Sequence, residues 1–498
     1  MSILTRQYQH VSTDVSIPPV KSRSGGSGNG LLLLAVLGGM FLSMLDQTIV
    51  GTALPRITQE LGGADLYVWV VTAYLLTSTI TVPLYGRLSD TYGRKPLLLI
   101  GVVVFLLGSL LCGIAQDMGQ LIGFRALQGL GAGALLPLSL AMVADLFPPD
   151  RSGRVQGALG GVMALSYIAG PFLGGVFTDQ ASWRWAFLVN LPIGLVLIAI
   201  IVARLPHVAG QGRGVRPDYL GMAVFSAGIG ALLVGLTEKG LDDHSWTSGP
   251  VLWPIAASAV LLAAFVLVER RAEQPIIPLE LFRNRTYTLA NVASFFTAFC
   301  LYAGVVFLPR YFQEAMGLTA TESGLRIYPL MLGMVVGSMI AGALISRTQR
   351  YKPWLVAGPF LIAVGALLCA GLTAETPTLV LAGWMALIGL GMGPMLSGLT
   401  VAIQYSVPPR FIGTASANLT FFRQVGGSVA LAIAGTVYAS VIREEAPVHG
   451  LSAAHAAATA TVVPWLAVGG ALIALAALTL LPGGRIGALA GRRSGVDG

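Results

Sequence analysis

Charged residues are scarce in this chain of 498 residues: they make up 10% of it, while hydrophobic residues make up 55%. Soluble domains carry about 25% charged residues, so the composition excludes an ordinary soluble protein. The net charge of +8 does not indicate nucleic-acid binding, because the Lys and Arg residues lie in short loops between apolar stretches rather than on one basic face. The composition predicts an integral membrane protein.

Cysteine is also rare. The three cysteines, Cys112, Cys300 and Cys369, lie inside apolar stretches and show no CxxC spacing, which supports neither a disulfide framework nor a metal site. The histidines outside the N-terminal tail, His455 among them, are expected in loops, and no Cys, His and Ser cluster falls on one face. No phosphate-binding loop is recognisable, so ATP is not expected to drive the protein. We therefore expect no enzyme, no metal and no cofactor.

Fourteen stretches are long and apolar enough to cross a membrane, from Leu31–Leu54 to Val462–Leu481. Most of the 30 Lys and Arg residues fall on alternate loops, on the side that includes both termini. Because cytoplasmic loops retain these residues, the pattern predicts cytoplasmic termini and an even number of spans. The predicted fold class is an all-α integral membrane protein.

The sequence contains an internal repeat. Leu54-Pro55-Arg56 recurs as Leu308-Pro309-Arg310, and Leu130-Gly131 with Gly133 recurs as Leu390-Gly391 with Gly393, each roughly 255 residues later. Two homologous halves of six spans, with the two spans between Tyr219 and Val268 inserted, account for this order. Parallel repeats of this kind fit two bundles that rock about a central site.

The predicted architecture is therefore fourteen helices arranged as six, two and six. Its parts are a flexible cytoplasmic N-terminal tail (1–30), an N-terminal six-helix bundle (31–204), an inserted two-helix linker (205–286), a C-terminal six-helix bundle (287–482) and a cytoplasmic C-terminal tail (483–498).

Asp46 lies deep in the first predicted span. A helix of that length, at about 1.5 Å per residue, crosses the ~30 Å hydrocarbon core with Asp46 well inside. An Asp at that depth costs at least ~2.5 kcal/mol, so a functional role is the default hypothesis. The proton affinity of a carboxylate changes with water access and with the distance to a cation. We predict that Asp46 couples transport to protons with Arg125 as its partner; a purely structural pair with a buried arginine is the alternative.

The segment after the second span, Gly86-Arg87-Leu88-Ser89-Asp90-Thr91-Tyr92-Gly93-Arg94-Lys95, is predicted to form a tight turn at its glycines. It closely resembles the cytoplasmic signature of the major facilitator superfamily, and the fourteen spans resemble the drug:proton antiporter branch of that family. The resemblance implies that Gly86, Asp90, Gly93, Arg94 and Lys95 form a latch between the two halves in the outward-facing state.

Two further segments carry the same resemblance. Arg125 with Gln128 resembles a fourth-span motif whose arginine the family implicates in proton coupling. The glycines and proline of the fifth span resemble the family's exporter motif: Gly170, Pro171, Gly174 and Gly175. Glycines at this spacing let helix backbones approach closely, and a proline can bend the helix. Helix packing without a further role remains the alternative reading of the glycines.

A substrate site is expected between the halves near the middle of the membrane. Aromatic side chains can bind apolar or cationic molecules by stacking and cation–π attraction, although packing is the alternative at each position. The single embedded acid, against three embedded arginines, argues against dications and leaves neutral, zwitterionic or anionic amphiphiles open. The candidates are Asn291, Phe295, Phe299, Tyr302, Tyr328, Trp384, Gln404, Phe422 and Arg423.

These features predict proton-coupled export of hydrophobic or amphipathic compounds by alternating access, with a small hydrophobic molecule, protons and the lipid bilayer as partners. We expect a monomer in the cytoplasmic membrane of a bacterium. Export of one endogenous lipid, siderophore or secondary metabolite by the same fold is the first alternative, and a sensor or scaffold without transport is the second.

Overall fold

The structure is a computed structural model. It describes residues 26–483 apart from 64–65, 147–151, 206–217, 241–243, 246, 273–274, 276, 278, 374 and 409–410. Most of the two predicted tails, and most of the linker before the predicted inserted pair, lie outside the described residues.

The described residues form α-helices joined by turns and short 3-10 or π segments, without a β-strand among them. The helices are α1 (Gly26–Leu61), α2 (Tyr67–Tyr92), α3 (Arg94–Gly113), α4 (Met118–Leu146), α5 (Ser152–Gln180), α6 (Trp185–Leu188), α7 (Asn190–Arg204), α8 (Tyr219–Gly240), α9 (Gly249–Glu269), α10 (Arg285–Arg310), α11 (Ala320–Arg326), α12 (Tyr328–Thr348), α13 (Lys352–Leu368), α14 (Thr378–Ser406), α15 (Ile412–His449) and α16 (Leu451–Thr479).

The predicted all-helical fold is confirmed. In the described part of the chain, 13 helical segments are long and apolar enough to cross a membrane, where a helix satisfies its own backbone hydrogen bonds. The predicted span Val155–Thr178 is part of α5, a helix of 29 residues that is not among the 13.

Two segments predicted as loops are helical. Helix α2 continues to Tyr92, so Gly86 and Asp90 lie on a helix, and only Gly93 occupies the turn, with φ 93° and its N–H bonded to the carbonyl of Ser89 at 3.0 Å. The last span was predicted to begin at Val462, but α16 begins at Leu451. The alanine-rich residues before Val462 have high helix propensity although they are less apolar, which explains the extension.

The helices before and after the α8–α9 pair pack alike. We call α1–α7 the N-terminal half and α10–α16 the C-terminal half. A side chain added at Gly131 would meet the backbone of α3 at Gly101, and one added at Gly391 would meet α13 at Gly358. Helices α4 and α14 therefore pack on α3 and α13 through glycines at corresponding positions, as the sequence repeat predicts.

Helices α8 and α9 pack on each other, and both halves contact α8, through α2 and α15. Apolar side chains fill this contact, with Phe225 5.1 Å from Phe265 and 5.2 Å from Phe421, centroid to centroid. The pair thus contacts both halves through α8.

Candidate functional site

A fully buried charged cluster lies inside the N-terminal half. Asp46 of α1 is 0% exposed and Arg125 of α4 is 1% exposed. The Arg125 Nη1 atom donates to Asp46 Oδ2 at 2.7 Å. Helix α1 therefore contacts α4 through an ion pair that is screened from solvent, a costly arrangement unless the remaining polar atoms also find partners.

The second carboxylate oxygen of Asp46 accepts two amide hydrogen bonds. Gln128 Nε2 donates to Oδ1 at 2.8 Å, and Asn190 Nδ2 donates to the same atom at 2.9 Å. Asn190 Nδ2 also reaches Ser109 Oγ at 3.0 Å. The carboxylate thus connects α1 with α4 and α7, and α3 is tied in through Ser109.

Arg125 has partners besides the carboxylate. Its Nη1 donates to Gln128 Oε1 at 2.8 Å, its Nε donates to the carbonyl of Val70 at 3.3 Å, and its guanidinium lies 4.1 Å from the centre of the Tyr74 ring. These contacts hold the cation independently of Asp46, because none of them uses the carboxylate.

Sequence reasoning found the two charges and missed the two amides. Neither Gln128, in the segment that resembles the family's fourth-span motif, nor Asn190 was a predicted proton-coupling residue. A signal was available for Gln128, which lies three residues after Arg125 and therefore on the same face of α4.

Helix α1 packs closely on α5 next to this cluster. A side chain at Gly170 would collide with Thr48, and one at Gly174 would come within 2.5 Å of the carbonyl of Ile49. The Thr48 hydroxyl also donates to the carbonyl of Ser166 at 3.3 Å. The predicted exporter motif therefore lies directly against the residues that follow Asp46.

The other face of the exporter motif contacts the C-terminal half. A side chain at Gly175 would collide with Thr321, and Gly324 lies against the carbonyl of Pro171. Asp179, at the end of α5, accepts from the backbone N–H groups of Ala320 at 3.1 Å and Thr321 at 2.7 Å. An acid at a helix N-terminus is favourable, so α5 caps α11 of the other half.

Helix α1 contacts the C-terminal half one turn beyond Asp46. A side chain at Gly51 would lie 3.1 Å from the carbonyl of Val305. Gln313 Nε2 donates to the carbonyl of Thr52 at 2.9 Å. The contacts through Gly51, Thr52 and Asp179 lie at the end of the bundle where α1 and α10 end, and they hold the halves together there.

A second charged cluster, which sequence reasoning missed, lies at the same end. Arg310 Nε is 2.7 Å from Glu314 Oε2, and His455 Nδ1 is 3.0 Å from the same oxygen. The Arg310 guanidinium lies 4.5 Å from the ring centres of both Tyr67 and Tyr438. His455 was expected in a loop, yet it lies on α16. The recurrence of Arg56 as Arg310 in the repeat was the signal available in the sequence for this cluster.

The predicted latch segment is partly described. Lys95 Nζ donates to the carbonyls of Val202 at 3.0 Å and Leu205 at 2.7 Å, at the end of α7. Both partners belong to the same half as Lys95. The side chain of Asp90 lies outside the described residues, Gly86 lies within α2, and Arg94 is the first residue of α3. Their role as a latch stays a prediction.

Several substrate candidates come together between α10 and α15. Phe295 and Phe299 have ring centres 5.8 Å apart, and a side chain at Gly427 of α15 would collide with the Tyr302 ring. Arg423, one turn before Gly427, is partly exposed.

The remaining candidates are more scattered. Asn291 is 2% exposed and donates to its own helix at Tyr287, Tyr328 donates to the carbonyl of Ile168 at 2.9 Å, and Trp384 packs in the core of the C-terminal half. Gln404 lies close to the end of α14. Phe422 lies beside Phe282, with the ring centres 6.1 Å apart.

The described residues contain no group of three or more His, Cys, Asp or Glu side chains that could hold a metal ion. In the buried cluster, the amide nitrogens of Gln128 and Asn190 donate to Asp46, whereas Asn190 Oδ1 has no hydrogen-bond partner. Asp46 is the group of this cluster that can bind and release a proton.

Residues 36–431 match the Major Facilitator Superfamily model. The chain is 37% identical over 407 residues to the multidrug transporter protein MdtP of Bacillus subtilis, which covers 82% of this chain and 75% of the relative. It is 37% identical over 410 residues to multidrug resistance protein 3 of the same organism, covering 82% of this chain and 80% of the relative.

Fungal efflux pumps are also similar. The pump FUS6 of Gibberella moniliformis is 33% identical over 439 residues, which covers 87% of this chain and 78% of the pump. These relatives are named as transporters and pumps, so the expectation of a transporter rather than an enzyme is confirmed. The chain belongs to the major facilitator superfamily, and its relatives include multidrug efflux transporters.

Proposed function

We propose that this transporter exports hydrophobic or amphipathic compounds across the cytoplasmic membrane in exchange for protons, by alternating access. The architecture proposed with it is fourteen spans in a six, two and six arrangement, in a monomer whose termini are both cytoplasmic. The names of the relatives support efflux. The observation that carries proton coupling is the buried carboxylate of Asp46, with three hydrogen bonds from three side chains.

Protonation of Asp46 would change what holds α1 in place. A neutral carboxyl loses the charge-assisted bond to Arg125 and keeps at most weaker hydrogen bonds to Gln128 and Asn190. Arg125 would retain its contacts with Val70, Gln128 and Tyr74, so the cation is not left without partners. Proton uptake therefore loosens α1 from α4 and α7 at a moderate energetic cost.

The same helix carries the change to the other half. Gly51 and Thr52 of α1, just beyond Asp46, contact α10 and Gln313, and α5 links α1 to α11. A shift of α1 thus acts directly on the contacts that hold the halves together at their predicted outer end. In the proposed cycle, Asp46 takes a proton when the site is open outward, and the proton leaves to the cytoplasm as substrate binds.

The energies are compatible. Removing one partner of a buried ion pair costs about 3–5 kcal/mol, and the remaining contacts of Arg125 reduce that cost. A proton crossing the membrane supplies about 2.3 kcal/mol per 100 mV, to which the pH difference adds. The two energies are of the same order, so the gradient can contribute substantially to opening an ion pair of this kind.

The test compares wild type with Asp46→Asn in everted membrane vesicles and in a drug-susceptibility panel, at equal expression. We expect Asp46→Asn to abolish accumulation driven by a proton gradient, because its amide cannot ionise. Asp117→Asn is the matched control, since Asp117 is an exposed acid in the same half. Gradient-driven accumulation that survives in Asp46→Asn would refute the coupling mechanism.

Export of one endogenous metabolite is the second candidate. It is favoured by a relative of Aspergillus aculeatus named the acurin A biosynthesis cluster MFS-type transporter, which is 33% identical over 414 residues. The panel separates the two: a multidrug exporter changes susceptibility to several unrelated compounds, whereas a dedicated exporter changes none of them and its loss retains one metabolite in the cells.

A further inference from the structure

Arg423 carries an interior charge that no described acid balances. Arg125 is paired with Asp46, and Arg310 is paired with Glu314, each at 2.7 Å. No described carboxylate oxygen lies within the 4.0 Å that defines such a pair around Arg423. The Asp46–Arg125 pair is neutral overall, so among the described residues it does not offset the charge of Arg423.

Arg423 lies near the depth of Asp46. The next turn of α15 packs on Tyr302 through Gly427. In the repeat that relates Leu54 to Leu308, Tyr302 corresponds to Thr48, two residues after Asp46. The guanidinium is therefore near the middle of the membrane, too deep for a side chain that simply extends to the bulk water on one side.

Arg423 also lies on a helix that faces the other half. Helix α15 contacts α2 of the N-terminal half, and Gly435 of α15 packs on Val68 of α2. Since Arg423 is partly exposed, a molecule between the halves can reach the guanidinium.

Aromatic rings lie on α10 and α15, the two helices that meet at Tyr302 and Gly427. Phe295, Phe296 and Phe299 form a cluster on α10 with ring centres 5.0–5.8 Å apart, and Phe299 is one turn before Tyr302. Phe422 directly precedes Arg423 on α15. An apolar or aromatic body can pack on such rings while an attached anion reaches the guanidinium.

An arginine at this depth without an anion depends on the water that reaches its exposed part, because hydrocarbon stabilises its charge poorly. A bound anion stabilises that charge, and a bound cation adds repulsion. We propose that Arg423 binds the negatively charged group of an amphipathic substrate, so that the transporter selects anionic over cationic compounds. This inference rests on the proposed export function and names the substrate class of the same central site.

The test uses two probes of one shape and opposite charge, tetraphenylborate and tetraphenylphosphonium. Their affinities are measured by equilibrium dialysis on the purified full chain in phosphatidylcholine nanodiscs, without a proton gradient, after subtraction of binding to empty nanodiscs. Because no gradient is present, the result does not depend on whether Asp46 couples transport to protons.

The variants are Arg423→Gln and Arg423→Met, which remove the charge, and Arg423→Lys, which keeps it. Arg423→Met is included in case Arg423→Gln does not fold, because methionine suits a membrane helix. Met163 stands at the corresponding position of the other half. Arg326→Gln is the matched control, since Arg326 lies at the junction of α11 and α12 rather than beside Tyr302.

We expect loss of the charge to weaken tetraphenylborate binding about tenfold or more and to leave or improve tetraphenylphosphonium binding. Arg423→Lys should retain most of the preference, and Arg326→Gln should leave it unchanged. An unchanged ratio of the two affinities in both neutral variants would overturn the proposal. Nanodiscs containing phosphatidylglycerol distinguish the source of the anion: weaker tetraphenylborate binding there would identify a lipid headgroup as the occupant of the same anion site.

Discussion

The two halves share a packing scheme and differ at its centre. Repeat positions place Cys300, Met385 and Ile388 of the C-terminal half where Asp46, Arg125 and Gln128 stand in the N-terminal half. All three replacements are buried, at 4%, 1% and 3% exposure. One half therefore contains a hydrogen-bonded ion pair at the position where the other contains sulfur and aliphatic groups.

The difference indicates what the polar cluster is not needed for. A helix bundle of this kind packs through small residues and van der Waals contacts, without a buried charge. The centre of the C-terminal half around Cys300 is assembled in this way, with Cys300 Sγ 3.9 Å from Met392 Sδ. The charges of the N-terminal half are thus not a requirement of the fold, which favours a role in transport.

The largest expected effect on stability comes from Arg125→Met, which introduces the C-terminal half's residue alone. It leaves the Asp46 carboxylate buried without a cation, and a broken pair of this kind costs about 3–5 kcal/mol. We expect a clear fall in the melting temperature of the purified protein and loss of gradient-driven export. Met385→Leu, an apolar exchange at the corresponding position, is the control and should change little. A melting temperature equal to wild type in Arg125→Met would show that the pair does not stabilise α1 against α4.

The combined variant Asp46→Cys, Arg125→Met and Gln128→Ile replaces the polar centre of the N-terminal half with the apolar residues found at the centre of the C-terminal half. A buried ion pair replaced by well-packed apolar groups is often neutral or stabilising, so we expect the melting temperature to recover most of what Arg125→Met loses. Gradient-driven export should remain absent, because no carboxylate is left. Recovery of coupled export in vesicles would contradict the assignment of the proton to this cluster.

The shared part of the comparison is tested by matched glycine substitutions. Gly131→Ala and Gly391→Ala each place a methyl group against the backbone of the neighbouring helix, and overpacking of this kind costs about 1–3 kcal/mol. We expect similar losses of thermal stability in both. Gly342→Ala is the control, because a side chain there meets nothing within 4 Å. A large effect in only one half would show that the halves do not pack by one scheme.

The two buried charges, the repeat and the helical fold were predictable, because each rests on a pattern that is visible directly in the sequence. Asp46 and Arg125 are conspicuous in apolar stretches, and glycines mark close helix approaches. The amide partner Asn190 was not predictable, because it is far from Asp46 in sequence and only the fold brings them together. His455 was wrongly expected in a loop for another reason. The strongly apolar stretch begins at Val462, whereas the alanine-rich residues before it extend the helix to Leu451.

The smallest expected effects concern the ion pairs at the ends of α1 and α10. Arg56 and Glu60 are 53% and 46% exposed, whereas the corresponding Arg310 and Glu314 are 12% and 14% exposed. Exposed pairs contribute about 0–1 kcal/mol, so Arg56→Gln should leave stability and transport nearly unchanged.

Arg310→Gln removes more, since this guanidinium also lies between the Tyr67 and Tyr438 rings and so joins the two halves. A desolvated cation–π contact is worth about 2 kcal/mol. We therefore expect a modest loss of thermal stability and a faster reaction of a thiol reagent with a cysteine introduced at the neighbouring Val68, which packs on Gly435 of the other half. Equal reactivity in Arg310→Gln and Arg56→Gln would mean that the buried ion pair holds this end of the bundle closed no better than the exposed ion pair does. The two halves would then differ only at their centres.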